Sequence, residues 1–535
     1  METNIASQHL ADAKQNAVSD VIKKKKISFI SAILLIISSC IGSGIFFKAG
    51  IVLNYNWGSF SLSIVSWVIS AIAVICMSIA LIEVASKGND NLSLIGWCKK
   101  FNNKFVYKCC KNFMFYVYTP LEYFYLPYYA IICIQGMLNG FGISSNFNTA
   151  NDWAIWMVIG MLISTYFIFT SGISTKVADI QNKVILMIKF IPLAAVVIIG
   201  LVIIANNGVN IQIAPQLDVE NVDKFYQIWP GIGTILSLSA IFFAFDGFYF
   251  AAGIQKEMKE PKKTPKAILI GLLIVTVIYL VIAIVMSLAS KTGEFNGSNG
   301  GYEAFLKEHN LSALFAIINL LIAFSVLGTL NGFTTWATRL AENLIKDNEI
   351  PFAKKLVDKI DPHNAKVGAI YVYVVSMSVV LLFSMIGGLS YLPDGYLLDG
   401  NSTVDGIGFN STARLFTFSD LMSNWTAIFA FSFIIIALGG CYRNRKTKKV
   451  DVIENKYFKP TAIIAMIIVG LSMLLTTIQP FVELGLIHQD TSTSDIISKV
   501  MLLVTLFVFL GFTIIPTFFD KEFLLELKQK KGKKI

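Results

Sequence analysis

The residues best equipped for chemistry lie inside long apolar runs of this chain. Ile41-Gly42-Ser43-Gly44-Ile45 interrupts the first run, and Phe243-Ala244-Phe245-Asp246-Gly247 interrupts the sixth. Glycine loses the most backbone freedom on ordering, so a Gly-Ser-Gly triplet weakens a helix. Lipid offers no partner for the N–H and C=O groups so freed, and a break survives at mid-membrane depth only where it lines a protein cavity. The exposed N–H groups of the following half-helix then form a small anion site. The same small residues also suit close helix packing, and the triplet alone does not choose between the two. Asp246-Gly247 is a second break signal, and a carboxylate at a helix centre costs about 2.5–3.5 kcal/mol on insertion scales, so it turns away from lipid.

Glu122, Lys189 and Asp246 are the ionisable residues well inside runs. Glu122 is a candidate carboxylate for a basic substrate or a proton, or it bonds to a neighbouring tyrosine. Lys189 either snorkels to the interface or is buried, where desolvation makes its charge changeable. Asp246 either contacts substrate or caps freed N–H groups, and capping is the preferred reading. No nucleophile–base pair and no phosphate-binding loop of the form GxxxxGK[ST] occurs, and His9, His309, His363 and His488 all lie outside the runs. This argues against an enzyme or a nucleotide-driven pump, so no catalytic residue is assigned. Seven Cys without ligand spacing predict reduced thiols, and no metal site or cofactor is expected. Cys109-Cys110 reads as part of a lysine-rich loop.

The elements that must position these residues follow from composition. The 535 residues are 55% hydrophobic and 15% charged, where soluble domains carry about 25% charged residues. Twelve apolar runs predict an all-α integral membrane protein with 12 transmembrane helices: Ile27–Leu53, Ser59–Ser86, Phe113–Gly140, Trp153–Thr170, Val184–Ala205, Trp229–Ile254, Pro265–Ala289, Leu311–Thr338, Val367–Gly387, Leu421–Gly440, Pro460–Ile478 and Ile497–Phe518. The net charge of +10 lies in short clusters between runs, which excludes a nucleic-acid-binding face. About 37 of the 44 Lys+Arg fall in alternate segments, so both termini are expected in the cytoplasm. The other side keeps Lys48, Lys224, Lys291, Lys307, Arg414 and Lys499.

The breaks sit in the first and sixth runs, an odd number of spans apart, so the two halves run in opposite senses. Paired broken helices in inverted halves point to a transporter's central site. The blocks Ile41-Gly42-Ser43-Gly44-Ile45-Phe46, Phe243-Ala244-Phe245-Asp246-Gly247-Phe248 and Glu257-Met258-Lys259-Glu260-Pro261-Lys262-Lys263 resemble the amino acid–polyamine–organocation superfamily of permeases. A further block, Leu327-Gly328-Thr329-Leu330-Asn331-Gly332 with Arg339 and Ile350-Pro351, resembles its eighth helix and exit loop. The exit from the second run, Glu83 to Asn91, departs from the pattern, since only Gly88 stands where the family often has a proline and paired glycines.

The resemblance implies two inverted five-helix repeats with helices 1 and 6 broken, plus two peripheral helices. On that plan 1–26 is a cytoplasmic tail, 27–206 the first repeat, 207–228 an extracellular loop and 229–440 the second repeat. Residues 441–459 form a cytoplasmic loop, 460–518 the last two helices and 519–535 a basic tail. It implies that backbone N–H groups at Gly42, Ser43 and Gly44, next to Ile45, hold a substrate carboxylate. Carbonyls near Ile41, Phe243, Ala244 and Asp246, next to Gly247, would hold its amino group, and Phe243 would be a gating aromatic. Asn424 and Trp425 would touch the substrate side chain. Lys189 matches a lysine beside the first broken helix, where sodium-coupled relatives keep a cation, and is the coupling candidate. The implied function is secondary transport of amino acids across the cell membrane, proton-coupled or by exchange. The alternative is a carrier of polyamines or other organic cations. The partners are then an amino acid and the bilayer, with no nucleic acid, and the oligomeric state is left open.

Overall fold

Helices satisfy every backbone group within one segment, which suits apolar runs that meet no water. The computed structural model describes residues 28–520, except 43, 87–91, 148, 150, 210–221, 223, 250–258, 261–262, 291–292, 294, 296–300, 362–363, 392–403, 489–490 and 492. In chain order the helices are α1 (Phe29–Cys40), α2 (Gly44–Tyr55), α3 (Phe60–Val84), α4 (Leu94–Phe101) and α5 (Lys104–Asn112). Then come α6 (Thr119–Gly140), α7 (Asp152–Phe169), α8 (Thr175–Asn207), α9 (Pro230–Leu236), α10 (Leu238–Ala244), α11 (Thr264–Ala289) and α12 (Tyr302–Glu308). The rest are α13 (Ser312–Lys346), α14 (Ala353–Leu356), α15 (Lys366–Ser390), α16 (Val404–Thr447), α17 (Phe458–Gly485) and α18 (Thr493–Phe518). No strand occurs among the described residues. Nine of the described helices are long and apolar enough to cross a membrane.

Several boundaries differ from the sequence reading. Helix α8 begins at Thr175 rather than 184, because its first turns are polar yet helical, with Lys183 paired to Asp179 one turn away. Helix α16 begins at Val404, well before the run read as Leu421–Gly440, and residues 392–403 lie outside the described part. Cys109 and Cys110 sit in helix α5, buried, and not in a loop; all seven cysteines are buried and none is in a disulfide.

A π-helical turn, Phe113–Tyr118, joins α5 to α6. Pro120 explains it: proline donates no N–H and crowds the carbonyl one turn back, and a wider turn relieves both. This register sets which residues of α6 face the centre. Helix α13 packs on α6, α8 and α15, while α11 packs on α1 and α3, and α10 on α16 and α2. The broken segments α1–α2 and α9–α10 are thus enclosed by longer rods. At one end of the bundle, Glu349 accepts from Lys108 at 2.5 Å and Tyr107 at 2.8 Å, and Lys108 also pairs with Asp520 at 2.7 Å. Burial pushes the Glu349 carboxyl up, but Lys108, Lys111 and Tyr107 outweigh it and hold the group below its ordinary value.

Candidate functional site

Both breaks are present, and they meet. Helix α1 ends at Cys40, Ile41 turns extended, and α2 starts at Gly44. Helix α10 ends at Ala244, and Gly247 follows at φ 88°, a conformation that glycine alone adopts at no steric cost. A Cβ on Gly44 would stand 2.6 Å from Ala244 Cα, and one on Gly42 would stand 2.8 Å from Thr329 Oγ1. The two readings of the triplet therefore both hold: the glycines break the helix and also let a second break approach backbone to backbone. Ile45 is fully buried behind them. Ser43 lies outside the described residues, as do residues 257–258 and 261–262 of the charged block.

Two side chains tie the freed carbonyls. Lys189 Nζ donates to Ile41 O at 2.9 Å and reaches Thr329 Oγ1 at 3.4 Å. The lysine is 3% exposed, so it points into the core and does not snorkel. Tyr279, on α11, was not singled out by sequence. Its hydroxyl lies 2.7 Å from Cys40 O and 2.9 Å from Ala244 O, the carbonyl ends of both half-helices. A phenol has one proton, so it serves one carbonyl fully at a time. A polar group mid-run was the signal available, but nothing local says which carbonyls it meets.

Next to these breaks, Phe243 is packed between Tyr125 and Tyr129, with ring centroids at 5.4 and 5.7 Å. Lys48 Nζ lies 4.5 Å from the Phe243 ring centroid, a cation over an aromatic face. The sequence reading put Lys48 among the outer-side charges. It is instead fully buried on α2, and it donates to Asp420 Oδ1 at 2.7 Å, Ser423 Oγ at 2.8 Å and Tyr129 OH at 2.9 Å. An ammonium has three N–H donors, and each finds an acceptor. Tyr129 also donates to Asp420 Oδ1 at 2.5 Å. A cavity of about 240 Å³ opens against Asp420 and Tyr129, walled by Phe46, Phe47, Ile322 and Phe416. Asp420 and its partner are 372 residues apart, so no local pattern reveals the pair.

Two turns back along α6 from Tyr129, Glu122 lies beside Asp246, Tyr118 and Tyr125. Tyr118 OH donates to Asp246 Oδ2 at 2.8 Å, and Gly247 N donates to Asp246 Oδ1 at 2.8 Å. Asp246 thus caps its own break, as one reading held. Neither carboxylate is paired with a lysine or arginine among the described residues. Asn424 is buried in α16 and its Oδ1 makes no hydrogen bond among the described residues. Trp425, the next residue along the helix, is buried and packs edge-on against Phe509 of α18, centroids 5.8 Å apart. Among the described residues no three His, Cys, Asp or Glu stand close enough to hold a metal ion.

The profile of a family described as "Amino acid permease" matches residues 27–510. A protein of Mycoplasma pneumoniae described as uncharacterized is 39% identical, over 94% of this chain and 95% of its own. The serine/threonine exchanger SteT of Bacillus subtilis is 26% identical, over 62% of this chain and 71% of its own. Among solved structures, the manganese transporter of Eremococcus coleocola is 12% identical with a TM-score of 0.49, over 93% of this chain and 95% of that one.

Proposed function

The chain belongs to the amino acid permease family of the amino acid–polyamine–organocation superfamily, and from that premise we propose that it carries amino acids across the cell membrane by alternating access. It is a multi-pass membrane transporter, with twelve crossings in two inverted repeats, two peripheral helices and both termini cytoplasmic. The observation that carries this reading is the meeting of the two breaks at Gly44 and Ala244, with Lys189 and Tyr279 on their carbonyls. An amino acid fits there by charge: its carboxylate faces the start of α2 at Gly42–Gly44, and its ammonium faces the carbonyl ends of α1 and α10. A carbonyl oxygen has two lone pairs, so Ile41 O serves Lys189 and an amine together. Asn424 offers its unused Oδ1 as a further contact.

Closure is read from the other cluster. Lys48 and Asp420 join α2 to α16 above Phe243, so access from the cavity side requires parting them. Coupling is assigned to Lys189, whose charged form holds α8 against the end of α1. The second reading, a carrier of organic cations, draws support from Glu122, a buried carboxylate without a basic partner among the described residues.

The test is uptake by the purified protein in liposomes, with L-threonine and L-lysine as tracers and an imposed gradient of protons, of sodium, or of the same amino acid inside. Uphill accumulation or counterflow of either tracer supports the carrier. Leak down the gradient without accumulation points to a channel. Strict dependence on sodium counts against Lys189 as the coupling group. Lys189→Met is expected to abolish the proton-driven response, and Lys189→Arg to abolish it too, since a guanidinium stays protonated when buried.

A further inference from the structure

We propose that Glu122 and Asp246 form a shared proton site, two carboxylates holding one proton between them; this deepens the transporter reading and rests on it. The first observation is composition. The groups facing the pair are Tyr118, Tyr123, Tyr125 and Tyr129 from the stretch through α6 and Tyr249 from the sixth run, all phenols. No ammonium or guanidinium pairs with either acid among the described residues. Two carboxylates in one low-dielectric cluster do not both stay ionised without a cation.

The second observation is a donor in place. The Tyr125 hydroxyl is fully buried and lies beside Glu122. It is available to whichever oxygen of Glu122 carries no proton. The third is space. The cavity nearby is lined by Tyr129 and Asp420, and neither Glu122 nor Asp246 lines it. Glu122 is buried and Asp246 half-buried, and a proton neutralises such a pair without needing a cavity of its own. On release, the carboxyl O–H breaks and water takes the proton, leaving two carboxylates that repel. The unwound segment carrying Asp246 is the part able to move away. Proton release is thereby tied to rearrangement of the break itself.

Infrared difference spectroscopy of the purified protein through a pH titration tests the site, by the carbonyl stretch of a protonated carboxyl. Glu122→Gln is expected to remove the titrating band, because Asp246 keeps its donors from Tyr118 and Gly247 and ionises alone. Asp246→Asn is expected to move the titration to lower pH, because a neighbouring negative charge is gone. Should Asp246→Asn fail to fold, having lost its cap, Glu122→Asp replaces it and is expected to change the band frequency. A parent without a titrating band, or a band untouched by these substitutions, overturns the site. In liposomes holding a pH dye, proton entry accompanying L-threonine and L-lysine is expected in the parent and lost for both in Glu122→Gln. Loss for L-lysine alone assigns the pair to a substrate ammonium and overturns the proton site. If the band titrates as expected but the parent moves no amino acid, the transporter reading fails and the site stands.

Discussion

Two ionic clusters flank Phe243, and they are built on opposite plans. The Lys48 cluster balances one ammonium with one carboxylate and meets all three ammonium N–H groups with acceptors. The Glu122 cluster sets two carboxylates among phenols with no basic partner among the described residues. They are linked by α6, which gives Tyr129 to the first, Glu122 to the second, and Tyr125 between them against Phe243. A closed pair of charges has no further use for a ligand, and its energy lies in staying intact. An unbalanced pair of acids is incomplete without a cation. The difference separates a closed ion pair from an unbalanced pair of acids, in a region where both read merely as buried charge.

The largest expected effect breaks the closed pair on one side. Lys48→Met leaves Asp420 without its ammonium, and removing one partner of a buried pair costs about 3–5 kcal/mol. Asp420 is 18% exposed, so water offsets part of this. Thermal unfolding in detergent measures the loss. Adding Asp420→Leu to Lys48→Met is expected to restore much of it, since no charge is then stranded. A double variant as unstable as the single one would mean that packing, and not charge, holds α2 to α16.

An intermediate effect comes from the neutral bridge between the breaks. Tyr279→Phe leaves Cys40 O and Ala244 O without their shared donor, a loss of about 1–3 kcal/mol for buried carbonyls left unsatisfied. Lower apparent affinity for an amino acid with the exchange rate preserved would assign Tyr279 to shaping the amine site. Equal loss in both would assign it to alternating access.

Smaller still is Glu122→Gln, expected to change stability by less than about 1 kcal/mol, since it strands no opposite charge. A loss as large as that of Lys48→Met would erase the contrast between the clusters. Glu349, 10% exposed at the bundle end beside Lys108 and Lys111, adds a pH dependence. Its carboxyl lies below the ordinary value when folded. Its contribution is therefore complete above the unfolded carboxyl range and is lost as pH falls through the lowered folded value. Glu349→Gln is expected to flatten unfolding temperature against pH on the acid side.

How much was legible differs by scale. The helical membrane class and both breaks were readable, because apolar run length and Gly-Ser-Gly or Asp-Gly interruptions are local signals with local causes. Family membership was readable from four short blocks. The start of α16 was not, since Gly, Asp and Ser in residues 404–412 read as loop where the chain continues a helix.

By itself the sequence determined where the helix must fail and which charges lie at depth: Gly42, Gly44, Gly247, Glu122, Lys189 and Asp246. Only the tertiary structure decided what each of them meets. It set Gly44 against Ala244, Lys189 on Ile41, Tyr279 on both half-helices and Lys48 on a carboxylate 372 residues away. It also turned Trp425 toward α18 and left Glu122 beside Asp246 without a basic partner among the described residues. The physical reason is that breaking a helix is a property of a few consecutive residues. Compensating a buried charge or a freed carbonyl is a property of whatever group the packing of distant helices brings within about 3 Å.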